Sequence, residues 1–231
     1  MAIARDSTVV ERRSQGSALH PTLQQALAEH VVRLPGWKKA IDLTGAALGL
    51  VFLAPLLVLV AAAIMLESRG GPIFRQTRVG HGGRTFTCLK FRSMRRDAEQ
   101  MLAQLQDQNE ARGHIFKMKD DPRRTSVGKF IRKTSLDELP QLVNVLRGDM
   151  SLVGPRPPTV GEVGRYDFAQ LRRLSATPGI TGLWQVTLRG RHDFADMVAL
   201  DVEYAERMSL WLDLRILATT VPTVLFGSGS C

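Results

Sequence analysis

Apolar positions along this chain fall into three kinds of run. The longest, residues 43–66, reads LTGAALGLVFLAPLLVLVAAAIML and holds no charge over 24 positions. About 20 helical residues cross the ~30 Å hydrocarbon layer of a bilayer, so this run is long enough to enter one. A helix that is apolar on every side is unusual in a soluble domain. Pro55 sits near its middle, where it removes a backbone donor and predicts a kink or break. Basic residues flank both ends, Arg33, Lys38 and Lys39 before it and Arg69, Arg75, Arg78 and Arg84 after it. A spanning helix normally carries its Lys/Arg excess on one side only. Equal flanks fit a helix that enters, breaks at Pro55 and returns to the same face, with a single span as the close alternative. The run starts about 40 residues in, with no small-residue cleavage motif close behind it, unlike a secretory signal.

A second kind of run is short and β-like. Residues 72–79 (PIFRQTRV) and 84–91 (RTFTCLKF), separated by Gly-His-Gly-Gly, predict a hairpin. The third kind has helical spacing: residues 22–32, 93–111, 139–146, 165–175, 194–208 and 209–226, the last broken at Pro222. Ser135-Leu-Asp-Glu138 matches a capping box ahead of Leu139, Leu142, Val143 and Leu146, and Gly148 follows as a stop. Residues 151–158 (SLVGPRPP) cannot be helical and predict a stiff extended loop. Residues 178–186 (PGITGLWQV) predict a turn followed by a strand. The segment 209–226 suits a membrane-surface helix or an ordinary packed one.

Composition narrows the class. With 231 residues, 44% of them apolar and 23% charged, the chain is long enough for a core and is not a disordered polymer. Its two cysteines, Cys88 and Cys231, exclude a disulfide scaffold and a four-cysteine zinc site. The five histidines have no ligand spacing, and no Walker loop, dinucleotide fingerprint or nucleophile elbow is present. The net charge of +9 suits anionic partners. On charge alone a membrane-tethered binder of anionic lipid or nucleic acid would do.

Chemistry concentrates in a few places. Asp137 and Glu138 sit together at a predicted helix start. They either cap that helix or supply a carboxylate that attacks phosphorus. Arg156 lies between prolines, which stiffen the backbone that presents it, and a guanidinium pairs bidentately with phosphate. Lys90, Arg92, Lys129, Arg132, Lys133 and Arg147 add cations. Asp201, within Leu-Asp-Val-Glu-Tyr, is either a solvated acid or one that serves a magnesium or phosphate site.

In order along the chain stand Lys38-Lys-Ala-Ile-Asp42 with the apolar run, PIFRQTRVG at 72–80, CLKFRSM at 88–94, IRKTSLDELPQ at 131–141, NVLRGDMSLVGPRP at 144–157 and PGITGLWQV at 178–186. Together these motifs resemble the bacterial sugar transferase family, monotopic phosphoglycosyl transferases that act on polyprenyl phosphate. The resemblance covers about residues 37–226 and is closest to the short exopolysaccharide-initiating form. It implies an α/β fold. This would be a small mixed α+β catalytic domain at 68–231, with a re-entrant membrane helix hairpin at 37–67, amphipathic surface helices and an N-terminal tail at 1–36. It implies an enzyme that moves a sugar 1-phosphate, galactose or glucose, from a UDP-sugar to undecaprenyl phosphate. The products would be UMP and the lipid-linked diphosphate sugar. Asp137 would be the nucleophile and a Mg²⁺ ligand, with Glu138 as its partner and Asp201 as a second metal acid. Lys90, Arg92, Arg132, Arg156, Gln185 and Arg189 would contact substrate. Membrane lipids would be partners and nucleic acid would not, at the cytoplasmic face of the inner membrane.

Overall fold

The computed structural model describes residues 27, 29–68, 70–105, 118, 120–188 and 193–226. Arg189 and most of the helix expected at 22–32 lie outside them. The fold is a mixed α/β one, as expected. It opens with α1 (Gly36–Glu67), a hairpin of β1 (Ile73–Val79) and β2 (Thr85–Phe91), and α2 (Ala98–Leu105). Then follow α3 (Ser126–Lys133), α4 (Gln141–Arg147), β3 (Ser151–Val153), α5 (Val160–Val163) and α6 (Phe168–Leu171). The chain continues through β4 (Gly179–Thr181), α7 (Leu183–Thr187), α8 (Phe194–Arg207) and α9 (Leu210–Phe226). β1 and β2 pair antiparallel in the predicted hairpin, and β3 pairs in parallel with β4.

Helix α1 has two dissimilar sides. One side follows the domain along its whole length. Ala46, Leu50 and Leu53 pack with Phe86, Cys88, Leu142 and Val145. Leu56, Leu57, Val60, Ala61 and Ile64 pack with Phe91, Ile131 and Val127. At the start of the helix, buried Lys38 donates to Asp213 (2.5 Å) and to the carbonyl of Val153 (2.9 Å). One turn on, Asp42 accepts from Ser151 Oγ and from the Leu152 amide, both at 2.9 Å. At its end, the Glu67 carboxylate accepts from the Ser126 and Val127 amides and so caps α3. The opposite side exposes Leu43, Leu48, Val51, Phe52, Val58, Leu59, Met65 and Leu66. Removing each such side chain from water is worth about 1.5–3 kcal/mol, so this face favours an apolar medium.

The helical structure of α1 runs without interruption through Pro55, where the sequence predicts a kink or break, so the break does not form. Proline frees one carbonyl, that of Val51, and both residues lie on the exposed face away from the domain. Helix α9 likewise continues through Pro222, which is exposed. The helix expected from residue 165 begins at Phe168, capped by Asp167 and Gln170. The strand expected after a turn within 178–186 stops at Thr181, because Gly182 lies against the backbone of Gly154 and a short helix starts at once.

The capping box at Ser135 does not form. Ser135 adopts a left-handed conformation (φ 54°) and its side chain caps nothing. The tight turn out of α3 takes its place, and Leu136–Glu138 form one turn of 3₁₀ helix before Pro140 introduces α4. A non-glycine residue in that region costs about 1–3 kcal/mol and is held there by its surroundings. The Gly148 stop is as expected, at φ 78°.

Candidate active site

Backbone packing builds the site. Asn144 is fully buried, accepts from the Leu89 amide (3.0 Å) and donates to the Thr87 carbonyl (2.7 Å). It thereby fastens α4 to the edge of β2 and brings Lys90 beside Glu138. The Gly-Pro-Arg-Pro loop and the Pro-Gly-Ile-Thr-Gly segment meet backbone to backbone, Gly154 N–H to Thr181 O (2.8 Å) and Gly179 N–H to Pro155 O (2.9 Å). A Cβ at Gly154 or Gly179 would collide with the opposite chain, so glycine is required at both.

A shallow cleft results, lined by Arg78, Cys88, Lys90, Glu138, Gln141, Arg156, Pro157, Gly179, Ile180 and Gln185. Lys90 Nζ donates to Glu138 Oε1 at 2.6 Å. Burial alone would raise the Glu138 carboxyl, but Lys90, Arg156 and Arg78 outweigh it and hold the group below its ordinary range. Asp137, beside it in the chain, is 9% exposed. Burial and then the Glu138 charge push its carboxyl up to about 6, against Lys90 and Arg132. Two adjacent acids thus have separated titrations, one firmly ionised and one poised near neutrality, a pattern typical of chemical sites.

The expected site residues divide. Lys90, Arg156 and Gln185 line the cleft with Glu138. Arg132 acts on Asp137 electrostatically from α3, and its own pKa is lowered by burial and by Arg124. Arg92 is not on the cleft wall; its guanidinium lies against Gly70. Asp201 is fully buried and paired with Arg173, which also reaches the Arg156 carbonyl (3.4 Å). Burial opposes the charge on Arg173, but Asp201 outweighs it and raises the pKa of the guanidinium. Gln185 Oε1 and Trp184 Nε1 are buried without a hydrogen-bond partner.

Two cleft residues escaped the sequence reading. Arg78, pushed down to about 10 by burial and by Arg156, donates to the Pro157 carbonyl (2.8 Å) and to Gln76. Gln141 is buried at the start of α4. The signal for Arg78 was the period of two in β1, which puts Gln76 and Arg78 on one face.

Among the described residues no group of three or more His, Cys, Asp or Glu stands ready for a metal ion. Mg²⁺ commonly takes one or two carboxylates together with substrate phosphates. Asp137, whose carboxyl has no side-chain hydrogen bond among the described residues, fits that role. Asp201 is fully buried, with Oδ2 on Arg173 and Oδ1 without a hydrogen-bond partner, so it presents no oxygen to a substrate phosphate.

Comparison with known proteins decides the family. Residues 34–227 match the model for bacterial sugar transferases. The chain belongs to the bacterial sugar transferase family. It is 51% identical over 195 residues to the galactosyl transferase CpsE of Streptococcus agalactiae, covering 84% of this chain and 43% of that protein. It is 42% identical over 197 residues to the exopolysaccharide production protein ExoY of Sinorhizobium fredii, covering 84% of this chain and 87% of ExoY. It is 43% identical over 198 residues to the undecaprenyl-phosphate galactose phosphotransferase of Salmonella typhimurium, covering 84% of this chain and 41% of that protein. The chain therefore spans less than half the length of CpsE and of the Salmonella transferase, and most of ExoY. Glu138 lines the cleft of this sugar transferase, and Asp137, next to it in the chain, is not among the lining residues.

Proposed function

We propose that the chain transfers a sugar 1-phosphate, galactose or glucose, from a UDP-sugar to undecaprenyl phosphate. It would thereby initiate an exopolysaccharide or a related glycoconjugate. Relatives named for both sugars support the substrate class. The observation that carries the mechanism is the acid pair itself. Asp137, with its carboxyl near pKa 6, stands beside Glu138, which Lys90 holds ionised.

In the first step a carboxylate oxygen of Asp137 forms a bond to the sugar-bearing phosphorus, and the bond to UMP breaks. UMP leaves with the electron pair, and an acyl-phosphate links Asp137 to the sugar. In the second step an oxygen of the lipid phosphate attacks the same phosphorus and the carboxylate is released. Near pH 7 Asp137 is mostly ionised, so it is ready to attack without a separate base. Arg156 has no ion pair among the described residues and is held stiffly by its prolines. With Lys90 and Arg132 it offsets the charge of the two phosphate substrates. Gln185 and Arg189 would complete the contacts to donor. Asp137 would be the residue to hold Mg²⁺, whose chemistry there would be to neutralise charge on the leaving group.

The seating of α1 supports a monotopic arrangement at the cytoplasmic face of the inner membrane. A spanning helix needs about 20 residues surrounded by lipid. Helix α1 is long and apolar enough to cross a bilayer, but Lys38 and Asp42 near its start and Val60 and Ile64 near its end are buried against the same domain. A helix that keeps one face on the domain and gives the other to lipid leaves both ends on one side. The catalytic domain then sits at the headgroup plane, where the acceptor phosphate lies.

The test uses purified full chain with radiolabelled UDP-galactose or UDP-glucose, Mg²⁺ and undecaprenyl phosphate. Label should pass into the organic phase with one of the two donors and fail to do so in Asp137→Asn. Retained transfer in that variant would refute the assignment. Tight nucleic-acid binding with no turnover of any UDP-sugar would favour a basic binding protein instead.

A further inference from the structure

Arg92 follows Lys90 by two residues, yet the two side chains serve different places. The Arg92 amide donates to the Pro72 carbonyl (2.8 Å) at the mouth of the hairpin, and its side chain runs to Gly70, just past the end of α1. A Cβ at Gly70 would collide with Arg92 Nη1 and would lie 3.6 Å from Arg96 Nε. Two guanidinium groups therefore converge over one glycine, and the missing side chain is what makes room for them.

Among the described residues no acid answers these charges. Arg92 Nη1 is buried without a hydrogen-bond partner. The acids nearest in sequence are occupied, Glu67 by the amides of Ser126 and Val127 and Asp97 by Arg95 at 3.4 Å. Neither Arg92 nor Arg96 has an ion pair among the described residues. Like charges brought together, one of them partly desolvated, call for an anion. A guanidinium pair is suited to the several oxygens of a phosphate.

The position says what carries that phosphate. The end of α1 exposes Met65 and Leu66, and neighbouring α3 exposes Phe130, so the arginines stand at the rim of the apolar face. Cations at such a rim meet the headgroup layer. We propose that Arg92, Arg96 and the gap at Gly70 form a site for a phosphate borne on a lipid, separate from the cleft that takes the soluble donor. The lipid is an anionic phospholipid that seats the domain, because the acceptor's phosphate has to reach phosphorus at Asp137, away from this site.

The experiment reads binding and not turnover, so it stands whether or not the transfer reaction is the right one. Full chain in neutral detergent is titrated with geranylgeranyl phosphate, with dihexanoyl phosphatidylglycerol and, as a neutral control, with dihexanoyl phosphatidylcholine. UDP-glucose affinity checks the cleft. Arg92→Gln and Arg96→Gln should each weaken phosphatidylglycerol about tenfold or more, with phosphatidylcholine and UDP-glucose unchanged within about twofold. Gly70→Ala keeps both arginines and fills the gap, and it should weaken the same lipid. Loss of phosphatidylglycerol binding identifies a headgroup anchor, and loss confined to geranylgeranyl phosphate overturns it in favour of an acceptor site. Unaltered binding of both phosphate lipids in Arg92→Gln and Gly70→Ala overturns the site, as does an equal loss of phosphatidylcholine.

Discussion

Lys90 should set the acid limb of the pH–rate profile. Its ammonium lies 2.6 Å from Glu138 Oε1 and also lowers the Asp137 carboxyl. Lys90→Met removes this charge while keeping most of the stem. Two unit charges at ~4 Å interact by about 4 kcal/mol at an effective dielectric of about 20. The cleft is open to water, and the lysine no longer has to be desolvated, so a net loss of about 1.5–3 kcal/mol is the reasonable figure for the acid pair. One pH unit corresponds to 1.36 kcal/mol, so the limb should move by about 1–2 units. The direction follows from the charges. A cation favours ionised carboxyls, its removal raises their pKa, and activity is then lost at higher pH. In the unsubstituted chain the limb should lie near the Asp137 value of about 6, and in the variant near 7–8. The measurement is label transfer to organic phase between pH 5 and 9, with Lys90→Arg as the variant that keeps the charge. Lys90→Met should lose much more rate at pH 6.5 than at pH 8.5. A uniform loss at every pH would show that Lys90 acts only on substrate, and would refute the coupling.

Other consequences are as direct. Breaking a buried ion pair by removing one partner costs about 3–5 kcal/mol, so Lys38→Met should lower the unfolding temperature in detergent sharply by stranding Asp213, which Tyr204 also contacts at 2.8 Å. The double variant Lys38→Met, Asp213→Leu should recover a large part of that loss. Asp201→Asn should destabilise the chain and raise KM for the UDP-sugar through Arg173 and the Arg156 loop, while the Mg²⁺ concentration for half-maximal rate moves by less than about twofold. A large shift in that Mg²⁺ requirement would return a metal role to Asp201.

Much of the site was legible because its motifs are local. The hairpin followed from period-two runs and four turn residues, and Gly148 from its place after Arg147. The stiffness of Gly-Pro-Arg-Pro was readable from its prolines. Asp137, Glu138, Lys90 and Arg156 were all in view as candidates. The long-range facts were less visible. Nothing local says that Arg173 takes Asp201, since their 28-residue separation is closed only by the packing of α8. Ser135 read as a cap because Ser-x-x-Glu commonly is one. Here Pro140 starts α4 later, and the turn leaving α3 forces Ser135 into the left-handed region. At Pro55 and Pro222 the local rule predicted a break. Both helices continue, because each proline removes a single ladder hydrogen bond and sits on an exposed face. Arg92 was grouped with Lys90 by sequence proximity, and only the fold shows it turned to Gly70.

The central claim is that the Asp137 carboxylate holds the sugar phosphate between the two half-reactions. The most direct measurement incubates the full chain with UDP-sugar in the absence of lipid acceptor, quenches in acid and maps the modified peptide by mass spectrometry. The account predicts a hexose-phosphate adduct on Asp137, formed with release of one UMP and discharged when undecaprenyl phosphate is added. An adduct on a different side chain, or UMP release that strictly requires the lipid acceptor and leaves the chain unmodified, would contradict it.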